Sequence, residues 1–329
     1  MKKNIRKKYL RNLFLTTLLG MLTVFSSCEK EEIVTDLKSE TITASKSSEK
    51  RKNLLVETIV EDFIDLGKDG ITVDNKGNLY VSIFGFFQGN NGNGTSVYKV
   101  SKNGVVSDYV TDLSGPLGSA FDKRGNFYVI HNNNGGGSGD IIKVTPNGNK
   151  KTIATIDGFP SGLAIDNQNN LYVSNFVSPT IYKIGTTGVI SEFVTDSRLA
   201  GTVGIDFNQK GNLIVGNYST ADILSINKKG KVSLIANIPD IAINGAAIGG
   251  IEVVDDTIYA TGIVVNKIFK VTQEGSISLF AGTGESTSLD GELLQASFRN
   301  PNRIEYDKRT KSLYITEYSG VGIRKIKLY

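Results

Sequence analysis

From residue 54 onward, apolar and polar positions alternate with a period of two. The runs are five to eight residues long, Asn/Gly/Asp clusters break them, and no sustained helical period appears. The stretch "VDNKGNLYVS" (73–82) shows the unit: the end of one strand, a tight Asn/Gly turn and a second strand. The same hairpin returns as "FDKRGNFYVI" (121–130), "IDNQNNLYVS" (165–174), "FNQKGNLIVG" (207–216), "VVDDTIYAT" (253–261) and "YDKRTKSLYIT" (306–316). Six copies at near-regular spacing predict a repeat architecture.

The segments between the hairpins complete the unit. In the third copy, "SGLAID" and "LYVSNF" precede "TIYKIG", the turn "TTG" and "VISEFVTD". Each copy is thus an antiparallel meander of four strands, the blade of a β-propeller. The sixth copy supplies three strands, "NRIEYD", "SLYITEY" and "GIRKIKLY", and ends at Tyr329. At the other end, "VEDFIDLGKDGITVD" parallels "VSDYVTDLSGPLGSAFD", which makes 54–66 read as a fourth strand with no blade of its own. The expectation is an all-β, six-bladed propeller over 54–329, closed by that N-terminal strand so that blade six has no unpaired edge.

The stretch "GTGESTSLDGELLQASFRNPNRIEYD" followed by "LYITEYSGVGIRKI" resembles an NHL repeat, and the ring resembles the SMP-30/gluconolactonase and virginiamycin B lyase type of propeller. That resemblance implies the fold for all of 54–329. It implies little about activity, because the fold carries enzymes and binding platforms alike.

The first residues change the reading of charge. Six basic residues, an apolar stretch from about Leu13 to Phe25 and then Ser26, Ser27 and Cys28 form a secretory signal over 1–27. Its end, "VFSSC", resembles a bacterial lipobox, with Cys28 as the acylated residue. Residues 28–53 are rich in Glu, Lys, Ser and Thr and read as a flexible tether. The resulting expectation is an exported, lipid-anchored monomer of the cell envelope, in the outer membrane on its periplasmic or surface face. Removing the signal leaves 31 Lys+Arg against 33 Asp+Glu, so the positive net charge of the full chain belongs to the signal, and a nucleic-acid footprint is missing.

The loops after the second and fourth strands of the blades share one face. The long ones lie there, at 84–95, 131–140, 237–249 and 281–302, whereas the other face has tight turns such as "NKG" and "PNG". Aligned copies give three columns near the channel mouth. One runs Asp69, Leu117, Ser161, Val203, Gly249 and Asn302; the next residue is glycine in five copies and Arg303 in the sixth. A second runs Ile83, His131, Asn175, Asn217, Gly262 and Glu317, and the third Phe84, Asn132, Phe176, Tyr218, Ile263 and Tyr318. From these, Asp69, His131, Asn175, Asn217, Tyr218, Arg303 and Glu317 are the candidate ligand contacts. For Arg303 and Glu317, pairing with each other across adjacent strands is the competing role.

The gluconolactonase resemblance implies a divalent cation, Ca²⁺ or Mg²⁺, held by oxygen donors from several blades. Carried over, the acidic ligand of the first blade falls on Asp69 and two further family positions become Ser161 and Gly249. Asn175 and Asn217 remain as oxygen donors, and a site would need Glu317 or Asp290 as the compensating carboxylate. The lyase resemblance implies histidine and glutamate chemistry, and this chain has one histidine. No G-x-S-x-G serine accompanies it. The first expectation is therefore a platform for a protein, peptide or glycan with no required cofactor. A metal-dependent lactone or ester hydrolase is the alternative.

Overall fold

The computed structural model describes residues 54–328 apart from 62, 64, 65, 136 and 321. The predicted signal, the tether and Cys28 lie outside the described residues. Six antiparallel sheets stand in sequence order. Blade one is Lys68–Val73, Leu79–Ile83, Val97–Val100 and Val106–Val110. Blade two is Ser119–Phe121, Phe127–His131, Ser138–Val144 and Lys150–Asp157. Blade three is Pro160–Ile165, Leu171–Asn175, Thr180–Ile184 and Ile190–Thr195. Blade four is Thr202–Phe207, Leu213–Asn217, Asp222–Ile226 and Val232–Asn237. Blade five is Ile248–Val254, Thr257–Gly262, Lys267–Thr272 and Ile277–Ala281. Blade six takes Pro301–Asp307, Ser312–Glu317 and Ile323–Lys327 from the C-terminal end and Leu55–Val60 from the N-terminal end.

The ring therefore closes as the repeat pattern predicts: Val56 pairs with Ile326 and Thr58 with Arg324. The structure adds a fifth strand that the pattern does not reveal. Gly291–Glu292, inside the long 281–302 loop, pairs with Leu55 and Val56 on the outer edge of blade six. That loop thus runs along blade six. Asp290 accepts from Thr58 N (2.9 Å) and from Arg324 Nη2 (2.8 Å).

The recurring hairpin has a physical cause. Asp74 Oδ1 accepts from the backbone of Lys76 and Asn78, while Oδ2 accepts from Asn78 Nδ2 and Tyr80 OH. Asp122 repeats the set with Arg124, Asn126 and Tyr128. Burial works against ionisation of both carboxyls, but the side-chain and backbone N–H groups of Asn78 and Asn126 outweigh it and hold them below the ordinary aspartate range. The hydroxyl that follows Tyr-Val serves the ring. Ser174 Oγ accepts from Gly162 N and donates to Val203 O of the next blade; Thr261 and Thr316 do the same for Asn302 O and Asp69 O.

Six apolar layers, one between each pair of neighbouring blades, make up the core among the described residues. Each fully buried Ile, Leu or Phe in them contributes about 1.5–3 kcal/mol. The blades meet closely at the axis. A Cβ on Gly162 would sit 2.0 Å from Val203 O, and one on Gly70 2.3 Å from Leu117 O, so only glycine fits there. At the sixth position of that ring stands Arg303.

Candidate functional site: a cup over a buried ion pair

Arg303 leaves blade six and crosses the channel. Its Nε donates to Asp69 Oδ1 of blade one (3.1 Å), Nη2 to Ser161 O of blade three (3.3 Å) and Nη1 to Val203 O of blade four (2.8 Å). Asn302 Nδ2 adds a bond to Asp69 Oδ2 (3.2 Å). One guanidinium thus ties four blades together and closes the channel below the long-loop face. The pairing expected within blade six does not form. The guanidinium points to the axis, where Asp69 waits, while Glu317 faces the loop side and meets Arg324 Nη1 at 3.2 Å.

Above this floor is a cavity of 540 Å³ open to the long-loop face. Its wall is a chain of ring contacts that runs around the mouth. Phe84 meets Phe87 (centroids 4.9 Å apart), Phe87 meets Phe159 (6.4 Å), Phe159 meets Phe176 (6.2 Å) and Phe176 meets Tyr218 (5.6 Å). Ile263 and Tyr318 continue the circuit, and the Tyr318 hydroxyl donates to Gly85 O at 2.8 Å. Phe87 is 64 % exposed and Phe176 36 %, an unusual amount of bare aromatic surface for a loop face.

The three sequence columns now separate by role. Five members of the Asp69 column line the cup, and so do five members of the aromatic column: Phe84, Phe176, Tyr218, Ile263 and Tyr318. Of these five, the sequence reading names Tyr218 alone as a candidate contact and passes over the other four. Their shared register with Tyr218 was the available signal. Phe87, on a two-residue hairpin strand paired with Gly92, and Phe159, in the connection between blades two and three, fall outside the columns and have no such signal.

The His131 column does other work. Asn175 is fully buried. Its Oδ1 accepts from the backbone of Phe159, Val177 and Ser178, and its Nδ2 donates to Asp157 O. Asn217 holds Ser219 N and Thr220 N through Oδ1 and donates to Arg198 O and Ala200 O. Glu317, also fully buried, accepts from Arg299 N, Ser288 Oγ and Arg324. Burial pushes its carboxyl above the ordinary glutamate range, against the pull of Arg324. These side chains shape the loops that form the rim; they do not line the cup. His131 is half-buried, opposite Asp140 in the ladder, and burial lowers its pKa.

The four candidate donors for a cation do not fit one. Asp69 is engaged by Arg303 and Asn302, and the other three have their oxygens committed inside their own blades. A hard cation needs several free oxygens converging on one point, and a guanidinium occupies that point here.

Below Arg303, three carboxylates stand at one step of neighbouring inner strands. Asp206 accepts from Val253 N (2.9 Å), Glu252 from Tyr306 N (3.1 Å) and Glu305 from Val73 N (3.1 Å), each on the next blade. Each keeps part of its surface exposed yet is surrounded by protein. Burial pushes Asp206 up to about 6. Burial first, and then repulsion from Asp206, pushes Glu305 up to about 8, and burial with repulsion from Asp206 and Glu305 holds Glu252 well above the usual range.

The chain is a six-bladed β-propeller with an aromatic cup at the mouth of a sealed channel. No protein-family model and no curated relative matches the sequence. Solved structures do. A streptogramin B lyase is similar at 20 % identity, with a TM-score of 0.59, covering 86 % of this chain and 100 % of its own. An auxiliary nutrient binding protein from Bacteroides thetaiotaomicron is similar at 17 % identity and TM-score 0.68, covering 84 % and 76 %. A gluconolactonase-like propeller follows at 14 % and 0.60, covering 84 % and 92 %. At such identities the likeness establishes the fold alone.

Proposed function

We propose that this chain is an exported, lipid-anchored binding propeller that captures a protein, peptide or glycan on its long-loop face. The cup takes an aromatic or apolar group of that ligand, and the Asp69–Arg303 floor meets a hydroxyl or amide at the group's end. The observation that carries this reading is the run of contacting rings around the mouth above a floor whose charges are already paired. Rigid rings supply contact area at little entropic cost, and a neutralised floor favours a polar but uncharged head. The nutrient-binding neighbour from Bacteroides thetaiotaomicron supports a binding role for this architecture.

Isothermal titration of the purified protein with N-acetyl-phenylalanine amide and with a phenyl glycoside tests the cup. Saturable binding that falls about tenfold or more in Phe176→Ala and Tyr218→Ala supports the proposal, since one lost ring contact in a desolvated pocket is worth about 1.5 kcal/mol. Unchanged binding in both variants, or none to either probe, rejects it. Lipidation is tested separately: Cys28→Ser should abolish incorporation of labelled fatty acid and release the protein from the envelope fraction.

A further inference from the structure

On the face opposite the cup lies a second and larger cavity, a groove of 880 Å³ running across the tight turns of blades three to six. Four lysines border it: Lys183 on the third strand of blade three, Lys228 on an outer turn of blade four, and Lys308 and Lys311 on the inner turn of blade six. None of the four forms an ion pair with a described carboxylate. The three carboxylates of the groove are committed elsewhere. Asp166 accepts from Gln168 N, Asn170 N and Asn170 Nδ2; Asp206 accepts from Phe207 N and Val253 N; Asp255 accepts from Gln209 Nε2. No described carboxylate thus stands within ion-pair distance of the four ammonium groups, although Lys308 acts at longer range on Asp206 and Glu252.

The rest of the lining adds a second kind of contact. Tyr172 forms the floor, packed edge-on against Phe193 (5.1 Å) and Phe207 (5.1 Å), with Lys183 Nζ 5.3 Å from its ring centroid. Tyr306 stands half-buried nearby, and Asn167, Gln168 and Gln209 present amides along the edge. Tyr172 is itself buried, and the accessible ring surface comes from half-buried Phe193, Phe207 and Tyr306. These rings, the amide donors and the spaced cations match a sugar chain, with apolar sugar faces on rings, hydroxyls on amides and anionic substituents on lysines. A flat basic patch for a lipid surface would lack the concavity and the rings.

We propose that this groove is a second binding site, distinct from the cup, for an acidic oligosaccharide carrying carboxylate or sulfate groups. The sequence hints at it only through turns such as "NKKGK" (227–231) and "DKRTK" (307–311), which in isolation read as ordinary solvated turns.

The test titrates the purified protein with tetragalacturonate and with a sulfated tetrasaccharide, using maltotetraose as the uncharged control, at low and at 0.3 M salt. The expected result is saturable binding of the acidic probes, at least about tenfold tighter than maltotetraose and weakened by salt, because charge-assisted contacts at an open groove are screened. Lys228→Glu/Lys311→Glu should weaken it by at least about tenfold with an unchanged melting temperature, as both are surface turn residues. Phe176→Ala, in the cup, should leave it unchanged. Equal affinity for maltotetraose, indifference to the charge reversal, or binding only to vesicles of anionic phospholipid would each overturn the proposal.

Discussion

Arg303 Nε lies 3.1 Å from Asp69 Oδ1, so a residue of the last blade forms its ion pair with a residue of the first, its neighbour at the ring closure, while the other two nitrogens reach Ser161 O and Val203 O across the axis. Both side chains are nearly buried, at 11 % and 13 % exposure. The pair does two things: it seals the channel, and it sets the chemistry of the cup floor.

The pair also predicts an asymmetry in stability. Removing the guanidinium in Arg303→Met leaves Asp69 buried without its cation and frees the carbonyls of Ser161 and Val203. The expected loss is about 3–5 kcal/mol in urea unfolding, and Asp69→Asn in that background should recover part of it. Equal losses from Arg303→Met and from a surface control such as Arg124→Met would contradict this account.

A second prediction concerns pH. Glu305, Glu252 and Asp206 bind protons more tightly in the fold than in the unfolded chain. Their contribution to stability is complete below the ordinary carboxylate pKa and is lost as pH rises through about 6 for Asp206 and about 8 for Glu305. The melting temperature should therefore fall between pH 5 and pH 8. Glu305→Gln, which keeps an acceptor for Val73 N, should flatten that fall, and at about 1.4 kcal/mol per pKa unit the difference is measurable. Superimposable pH profiles for the two proteins would contradict the assignment.

His131 acts in the opposite sense. Burial lowers its pKa, so its contribution is lost as pH falls through that lowered value. As the chain has one histidine, a single imidazole signal in an NMR titration reads it directly, with a midpoint expected below 6.5. A midpoint above 6.5 would mean that Asp140 outweighs desolvation.

The long loop on blade six depends on Arg324. Its fully buried guanidinium holds Asp290, Glu317 and the carbonyls of Leu289 and Ser297. Arg324→Met should expose 283–299 to limited proteolysis well before global unfolding, while ring closure by Val56–Ile326 pairing persists. Simultaneous loss of loop and ring would mean that the loop is not a separate unit of stability.

Much of the ring was legible in the chain. The hairpin repeats because Asp74, Asn78 and Tyr80 form one hydrogen-bonded turn, which the second copy keeps in full, the third keeps as Asp166 with Asn170, and the fourth keeps in part through Asn208 and Asn212. The displaced N-terminal strand was legible for the same reason. The site was legible only by column. Asp69 and Arg303 stand out because they depart from the repeat near the axis, and Tyr218 because it belongs to an aromatic column at the channel mouth. Asn175, Asn217 and Glu317 depart from it too, but their polarity serves loop backbones, and sequence gives no way to tell a carboxamide that binds a ligand from one that caps a loop. The partner of Arg303 lies 234 residues away in a different blade, a pairing that alignment of copies does not reach.

The most direct test of the cup uses the absence of tryptophan from the chain. Phe176→Trp places a single reporter on the rim, beside Tyr218 and Phe159. Titration with N-acetyl-phenylalanine amide and with a phenyl glycoside should shift its emission to the blue and saturate, and adding Tyr218→Ala should weaken the response about tenfold. Emission that stays unchanged with both ligands, or saturates identically without Tyr218, would contradict a binding cup at the mouth of the channel.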